Sequence, residues 1–156
     1  MSRERITVIL VFVVALAVGL MLAGQDVEIK DPAQNMVFAA DDLAHESRQF
    51  WPLVRKEGTA LEKLAYRIAD HPGCSLLYDE KKTRGQMLID LVRKTKAAGV
   101  VVSMMKFCNP EEFDYPIFKK ELEAANIPIL FLEIEQRMDS AEQIRTRIQS
   151  FAEMMQ

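Results

Sequence analysis

Cysteine, histidine and tryptophan are scarce in this chain: two, two and one among 156 residues. Cys74 and Cys108 are too few for a disulfide framework, and with His45 and His71 they set the ceiling on thiolate and imidazole chemistry. An excess of positive charge is also missing. With 20 Lys and Arg against 23 Asp and Glu the net charge is −3, and no basic cluster stands out, which removes nucleic acid as an expected partner. Six glycines and six prolines are scattered without repeat or low-complexity tract, which excludes the collagen-like and disordered classes. The remainder, 49% hydrophobic and 28% charged, has the make-up of one globular domain long enough to bury a sizeable core.

Charge is wholly absent from one stretch, Ile6 to Gly24 (ITVILVFVVALAVGLMLAG), which follows Arg3, Glu4 and Arg5. Two structures demand such a run. A membrane helix needs about 20 apolar residues, and the short basic leader would keep the N-terminus cytoplasmic. A buried central strand leading into an apolar helix needs dense Val and Ile, as in Val8 to Val14. A cleavable signal peptide fits less well, because Leu22 occupies the small-residue position of a Leu22-Ala23-Gly24 cleavage site.

Beyond this leader, strands and helices alternate. Asn35 to Ala40 reads as a short strand ending in the acidic pair Asp41-Asp42. Thr59 and Glu62 form a capping-box pattern opening a helix with Leu61, Leu64, Ala65 and Ile68 on one face, and Pro72 lies past its end. A second helix is expected from about Lys82 to Ala98, with Met87, Leu88, Leu91 and Val92 at helical spacing and Gly99 as its stop. Strand Val100 to Met105 follows. Asn109 then fits an N-cap, Pro110 the first helical position, and Glu111 and Glu112 the electropositive first turn, with Pro116 kinking or restarting this helix before Asn126. Ile127 to Glu133 is the next strand. Ser140 and Gln143 cap a last helix striped by Ile144, Ile148, Phe151 and Met155. This order implies βαβ units, hence an α/β three-layer sandwich around a mostly parallel, Rossmann- or flavodoxin-like sheet, preceded by the apolar segment.

Ligands of such sheets bind beyond the carboxyl ends of the strands. Asp41 and Asp42, Cys108, and Glu133, Glu135 and Gln136 are expected there, with Arg48 facing the same cleft. Cys108 stands out because it lies at a helix N-terminus, where amide donors and the dipole favour thiolate, the form that acts as nucleophile or metal ligand. His45 could approach this edge as a base, or be a loop histidine. His71 and Cys74 have metal-like spacing, yet they sit at a helix stop where capping explains the histidine as well. A zinc site from His45, His71, Cys74 and Cys108 matches no compact ligand pattern, and the nine methionines read as adaptable core filling.

KFCNPEEFDYP (Lys106 to Pro116), NIPILFLE (Asn126 to Glu133), then Gln136, Ser140, Gln143 and RTRIQSF (Arg145 to Phe151) resemble the C-terminal domain of the 2-hydroxyacyl-CoA dehydratase and benzoyl-CoA reductase subunit family. Asp41-Asp42-Leu43 with Arg48 and Phe50 is similar to the start of that domain, so the resemblance covers residues 34–156 and leaves 1–33 as leader and linker. It implies that Cys108 is one of three thiolates holding a [4Fe-4S] cluster, the other two coming from an upstream domain. It further implies an ATP-dependent activator protein that delivers one electron, and an acyl-CoA substrate reduced to a radical anion. Asp41, Asp42, Arg48, Glu133 and Gln136 become candidates for the acyl-CoA pocket. With the apolar leader in place of the upstream domains, the chain is expected to be a partial subunit, inactive alone and cytoplasmic, with or without a membrane anchor through residues 6–24. The competing expectation is a membrane-tethered accessory or binding module that keeps the fold without the redox chemistry.

Overall fold

The computed structural model describes residues 6–13, 36–43, 47–50, 53–77, 79–135 and 141–155. Four strands, β1 (Ile6–Val13), β2 (Met36–Asp41), β3 (Gly99–Met105) and β4 (Ile129–Ile134), form one sheet in the order β2-β1-β3-β4, and every pairing is parallel. The helices are α1 (Ser47–Phe50), α2 (Ala60–Ala69), α3 (Arg84–Thr95), α4 (Asn109–Ala124) and α5 (Ala141–Met154). The class is therefore α/β with a parallel sheet, as the alternation of elements implies.

The membrane-helix reading of residues 6–24 is corrected over its first part. Ile6–Val13 is an extended strand between β2 and β3, with Val8 opposite Gly99 and Val13 opposite Met104. The physical reason is that an unbroken apolar run satisfies a strand flanked on both sides as well as it satisfies a bilayer, and two neighbouring strands take up its backbone hydrogen bonds. Residues 14–24 lie outside the described residues, and no described helix is long and apolar enough to cross a membrane.

β3 is buried over its first six residues, in keeping with its GVVVSMM sequence and its place between two neighbours. Its side chains alternate between two cores. Val100 and Val102 pack with Leu88, Ile89 and Val92 of α3 and Phe118 and Leu122 of α4. On the other face Val101 joins Leu130 and Leu132 of β4 and Phe151 of α5, with Ile144, Ile148 and Met155 completing the expected stripe. Helices thus cover both faces of β3 and β4.

Three local details differ from the sequence reading. α3 ends at Thr95, and Lys96, not Gly99, takes the left-handed cap (φ 56°). Gly99 instead opens β3, where an added Cβ would lie 3.1 Å from the Pro128 carbonyl oxygen and 3.0 Å from the Phe151 ring. The N-cap of α4 is Cys108, one residue earlier than expected, which moves Asn109 and Pro110 inside the helix. α4 then runs through Pro116 without a break, with that proline on its exposed side. There the Glu112 carbonyl that loses its partner can be solvated.

Candidate functional site at the carboxyl edge of the sheet

Because all four strands are parallel, the ends of β2, β3 and β4 share one edge, and Asp41, Cys108 and Glu133 come with them. The chain leaves β1 to form β2 on one side and later β3 on the other, so the topological switch point lies between β1 and β3, where open α/β sheets place their ligand crevice. Cys108 follows β3 directly and sits beside that point. β2 lies two strands from β3, or roughly 10 Å at the usual strand spacing.

The Cys108 carbonyl accepts from the Glu111 and Glu112 amides at 3.1 and 3.0 Å, and its own N–H donates to the Met105 carbonyl at 3.2 Å. The thiol is half-buried and packs against the α3/α4 core. Phe107, immediately before it, has a left-handed backbone (φ 68°), uncommon for a bulky residue. Its N–H donates to Glu112 Oε1 at 3.1 Å, and its ring is 89% exposed. Phe113, one turn into α4, is 78% exposed, so two uncovered aromatic rings flank the cysteine in sequence.

Beneath this edge lies a group of four charges closed off from water: Asp42, Arg48, Arg84 and Glu111, none more than 4% exposed. Arg48 donates from Nε and Nη2 to the two Asp42 carboxylate oxygens, both at 2.7 Å, and again to the Asp42 carbonyl at 2.9 Å. Arg84 reaches Asp42 Oδ2 at 3.2 Å and pairs with the Glu111 carboxylate. The second Glu111 oxygen accepts from the Ser75 hydroxyl at 2.9 Å and lies 4.0 Å from Arg48 Nη1. Two cations face two anions with hydrogen bonds on every member, the condition under which buried charges are tolerated. Burial works to lower the Arg84 pKa, but the Asp42 and Glu111 carboxylates outweigh it and raise it above the ordinary guanidinium value.

Asp42 and Arg48, expected to face the cleft, are thus occupied with each other below its surface; they join the end of β2 to α3 and to the first turn of α4, which carries Cys108. Asp41 is partly exposed, and its carboxylate is engaged with the Leu43 amide at 3.1 Å. The Glu133 side chain is 52% exposed with Lys106 Nζ at 3.9 Å, while Lys106 also pairs with Glu135. That hydrogen bond and the charges of Glu135 and Glu133 raise the Lys106 pKa. Gln136 and His45 lie outside the described residues.

Sequence reasoning missed Arg84, Glu111 and Ser75 as partners. It also left the loop after α2 unplaced; Ser75 is bonded to Glu111, which brings that loop against the first turn of α4. Cys74 lines a small cavity there with Arg84, Asp114 and Phe118. Both cysteines are free thiols. Among the described residues, no three His, Cys, Asp or Glu side chains are grouped to hold a metal ion.

A family model described as 2-hydroxyglutaryl-CoA dehydratase, D-component, matches residues 16–155. The (R)-phenyllactyl-CoA dehydratase beta subunit of Clostridium sporogenes is 43% identical over 121 residues, covering 78% of this chain and 32% of that protein. The lactoyl-CoA dehydratase subunit beta of Anaerotignum propionicum is 47% identical over 116 residues, with coverages of 74% and 31%. The (R)-2-hydroxyglutaryl-CoA dehydratase subunit beta of Acidaminococcus fermentans is 36% identical over 124 residues, with coverages of 77% and 33%. The chain spans about a third of the length of these relatives.

Proposed function

This chain belongs to the 2-hydroxyglutaryl-CoA dehydratase D-component family, and from that premise we propose that it supplies one cysteine ligand, Cys108, to a [4Fe-4S] cluster and part of the pocket for an acyl-CoA substrate in a 2-hydroxyacyl-CoA dehydratase. The observation carrying this reading is the position of Cys108 at the end of β3, at the N-cap of α4 and beside the switch point of the sheet.

The chain alone does not fit the group. A cubane takes thiolates at most of its irons, and two cysteines, with no third metal-ligating neighbour among the described residues, fall short. The other ligands therefore come from another polypeptide, or from subunit regions this segment does not span. When bound, the cluster would supply one-electron chemistry, fed by an ATP-dependent activator protein. The chain's own contribution is physical. The buried Asp42–Arg48–Arg84–Glu111 group fixes the first turn of α4, and with it the position of Cys108. Phe107 and Phe113 offer apolar walls that exclude water once covered. Asp41, Glu133 and Gln136 remain the candidates for polar contacts to the acyl-CoA; residues 34–156 remain the dehydratase-like portion, the family match reaches back to residue 16, and β1 completes the sheet. The same reading places the protein in the cytoplasm.

The test is anaerobic co-production with a subunit carrying the missing cysteines, followed by iron and sulfide analysis and visible absorbance. A brown complex that loses its iron on Cys108→Ser and keeps it on Cys74→Ser is the expected result. Stoichiometric iron on the isolated chain would overturn the shared-cluster reading, and a colourless complex would favour an accessory module that keeps the fold without redox chemistry.

A further inference from the structure

Helix α2 is well made and packs its apolar side against nothing described. Thr59 Oγ1 accepts from the Glu62 amide at 3.3 Å and the Glu62 carboxylate accepts from the Thr59 amide at 2.8 Å, a complete capping box. None of its ten residues is buried, and Leu61, Leu64 and Ile68, at helical spacing on one face, are 78%, 62% and 68% exposed. The preceding segment is clamped to the opposite face. Arg55 lies 3.9 Å over the Tyr66 ring and pairs with Asp70 at 2.5 Å, and at 100° per residue both positions point away from the leucine stripe. A ten-residue helix is marginal in water, so a cap without an apolar contact leaves it short of stabilisation.

We infer that the Leu61–Leu64–Ile68 face is the seat for the remaining two thirds of a dehydratase-type subunit, the part that the relatives contain and this segment does not span. Two observations select this occupant. The helix lies within the family match, so in proteins about three times as long as the matched segment it is presented to a much larger remainder of the same polypeptide. The stripe is also small. A helix of this length is about 15 Å long, and a strip of that length offers on the order of a few hundred Å², against about 800 Å² per partner in a stable complex of free proteins. Covalent continuity removes that requirement by raising the effective concentration. A second copy of this chain is therefore the weaker candidate.

The inference rests on the family assignment and not on the cluster, and hydrogen exchange at α2 is read without iron, so failure of either reading leaves the other intact. Amide exchange of residues 60–69 is measured in the 156-residue chain and in a chimera whose matched third of the lactoyl-CoA dehydratase subunit beta is replaced by residues 6–156, so that β1 keeps its place between β2 and β3. Near-unprotected amides in the isolated monomer, slowed at least about 100-fold in the chimera and released again by Leu64→Lys with Ile68→Lys, are expected. The same pair of substitutions should leave the urea midpoint of the isolated chain unchanged. Strong protection in the isolated monomer would mean that the chain covers its own stripe and would overturn the inference. So would a dimer by light scattering that Leu64→Lys dissociates, or unprotected α2 amides in a folded chimera.

Discussion

Helices α2 and α3 carry opposite lessons. α2 has every local signal, from its capping box to a clean apolar stripe, and buries no residue. α3 has no side-chain cap at Thr83 and ends in a left-handed Lys96, yet it buries Arg84, Gly85, Leu88, Ile89 and Val92 against the sheet and α4. Local chemistry decides that a helix forms, and the tertiary partner decides what it is worth. The same contrast separates their ion pairs: Arg84 is held by two buried carboxylates, whereas Arg55–Asp70 at the α2 end is 48% and 45% exposed.

The sharpest way to break this comparison is to remove one cation from each region. Arg84→Met strands Asp42 and Glu111 with fewer partners in a dry site and should cost about 3–5 kcal/mol by urea denaturation. Arg55→Met should cost less than about 1 kcal/mol, because water and salt already screen that pair. Equal losses would show that the charge group under the carboxyl edge is open to solvent. The apolar version is next in size. Phe118→Ala, 1% exposed between α3 and β3, should cost about 3–5 kcal/mol through lost burial and a cavity, whereas Leu64→Ala in the isolated chain should stay within about 0.5 kcal/mol. A large Leu64→Ala effect in the isolated monomer would reverse the assignment of α2 as uncovered.

The uneven legibility of the sequence follows the same division. β3, β4 and the α5 stripe could be read because their periodicity reports burial directly, and the ends of β2 and β4 shift by only one or two residues. β1 could not be assigned from residues 6–24, since a run with no polar position has no period, and a bilayer and a doubly flanked strand ask for the same composition. What settles it is pairing with β2 and β3, partners distant in sequence. At the site, the position of Cys108 was legible from the order strand, cysteine, Asn-Pro-Glu-Glu, apart from one residue in the N-cap. The ion group was not. Arg84 meets Asp42 across 42 residues and Glu111 across 27, and no spacing rule links charges on separate elements. Asp42 and Arg48, only six apart, read as cleft residues in the sequence because nothing local distinguishes a carboxylate awaiting a ligand from one already paired.

The smallest effect concerns His71, in the loop that joins the two regions. Its pKa is lowered, first by partial burial and then by the Arg48 and Arg67 cations, with the Asp42 carboxylate pulling the other way. Its Nδ1 lies 3.5 Å from Arg67 Nη1. The folded chain therefore takes up this proton less readily than the unfolded chain, in which histidine titrates near its ordinary value of 6.5. Above that value both states hold a neutral ring and the contribution to stability is fully present. As the pH falls through it the unfolded chain is protonated first and stability drops, and the loss is complete once the folded pKa has been passed. Urea midpoints measured from about pH 7.5 to 5, where histidine titrates, should fall more steeply on the acid side for the wild type than for His71→Gln, and the two curves should separate only below the ordinary histidine value. Parallel curves would show that the His71 ring is free of Arg48 and Arg67, and that the loop carrying Cys74 and Ser75 does not close on the charge group that positions Cys108.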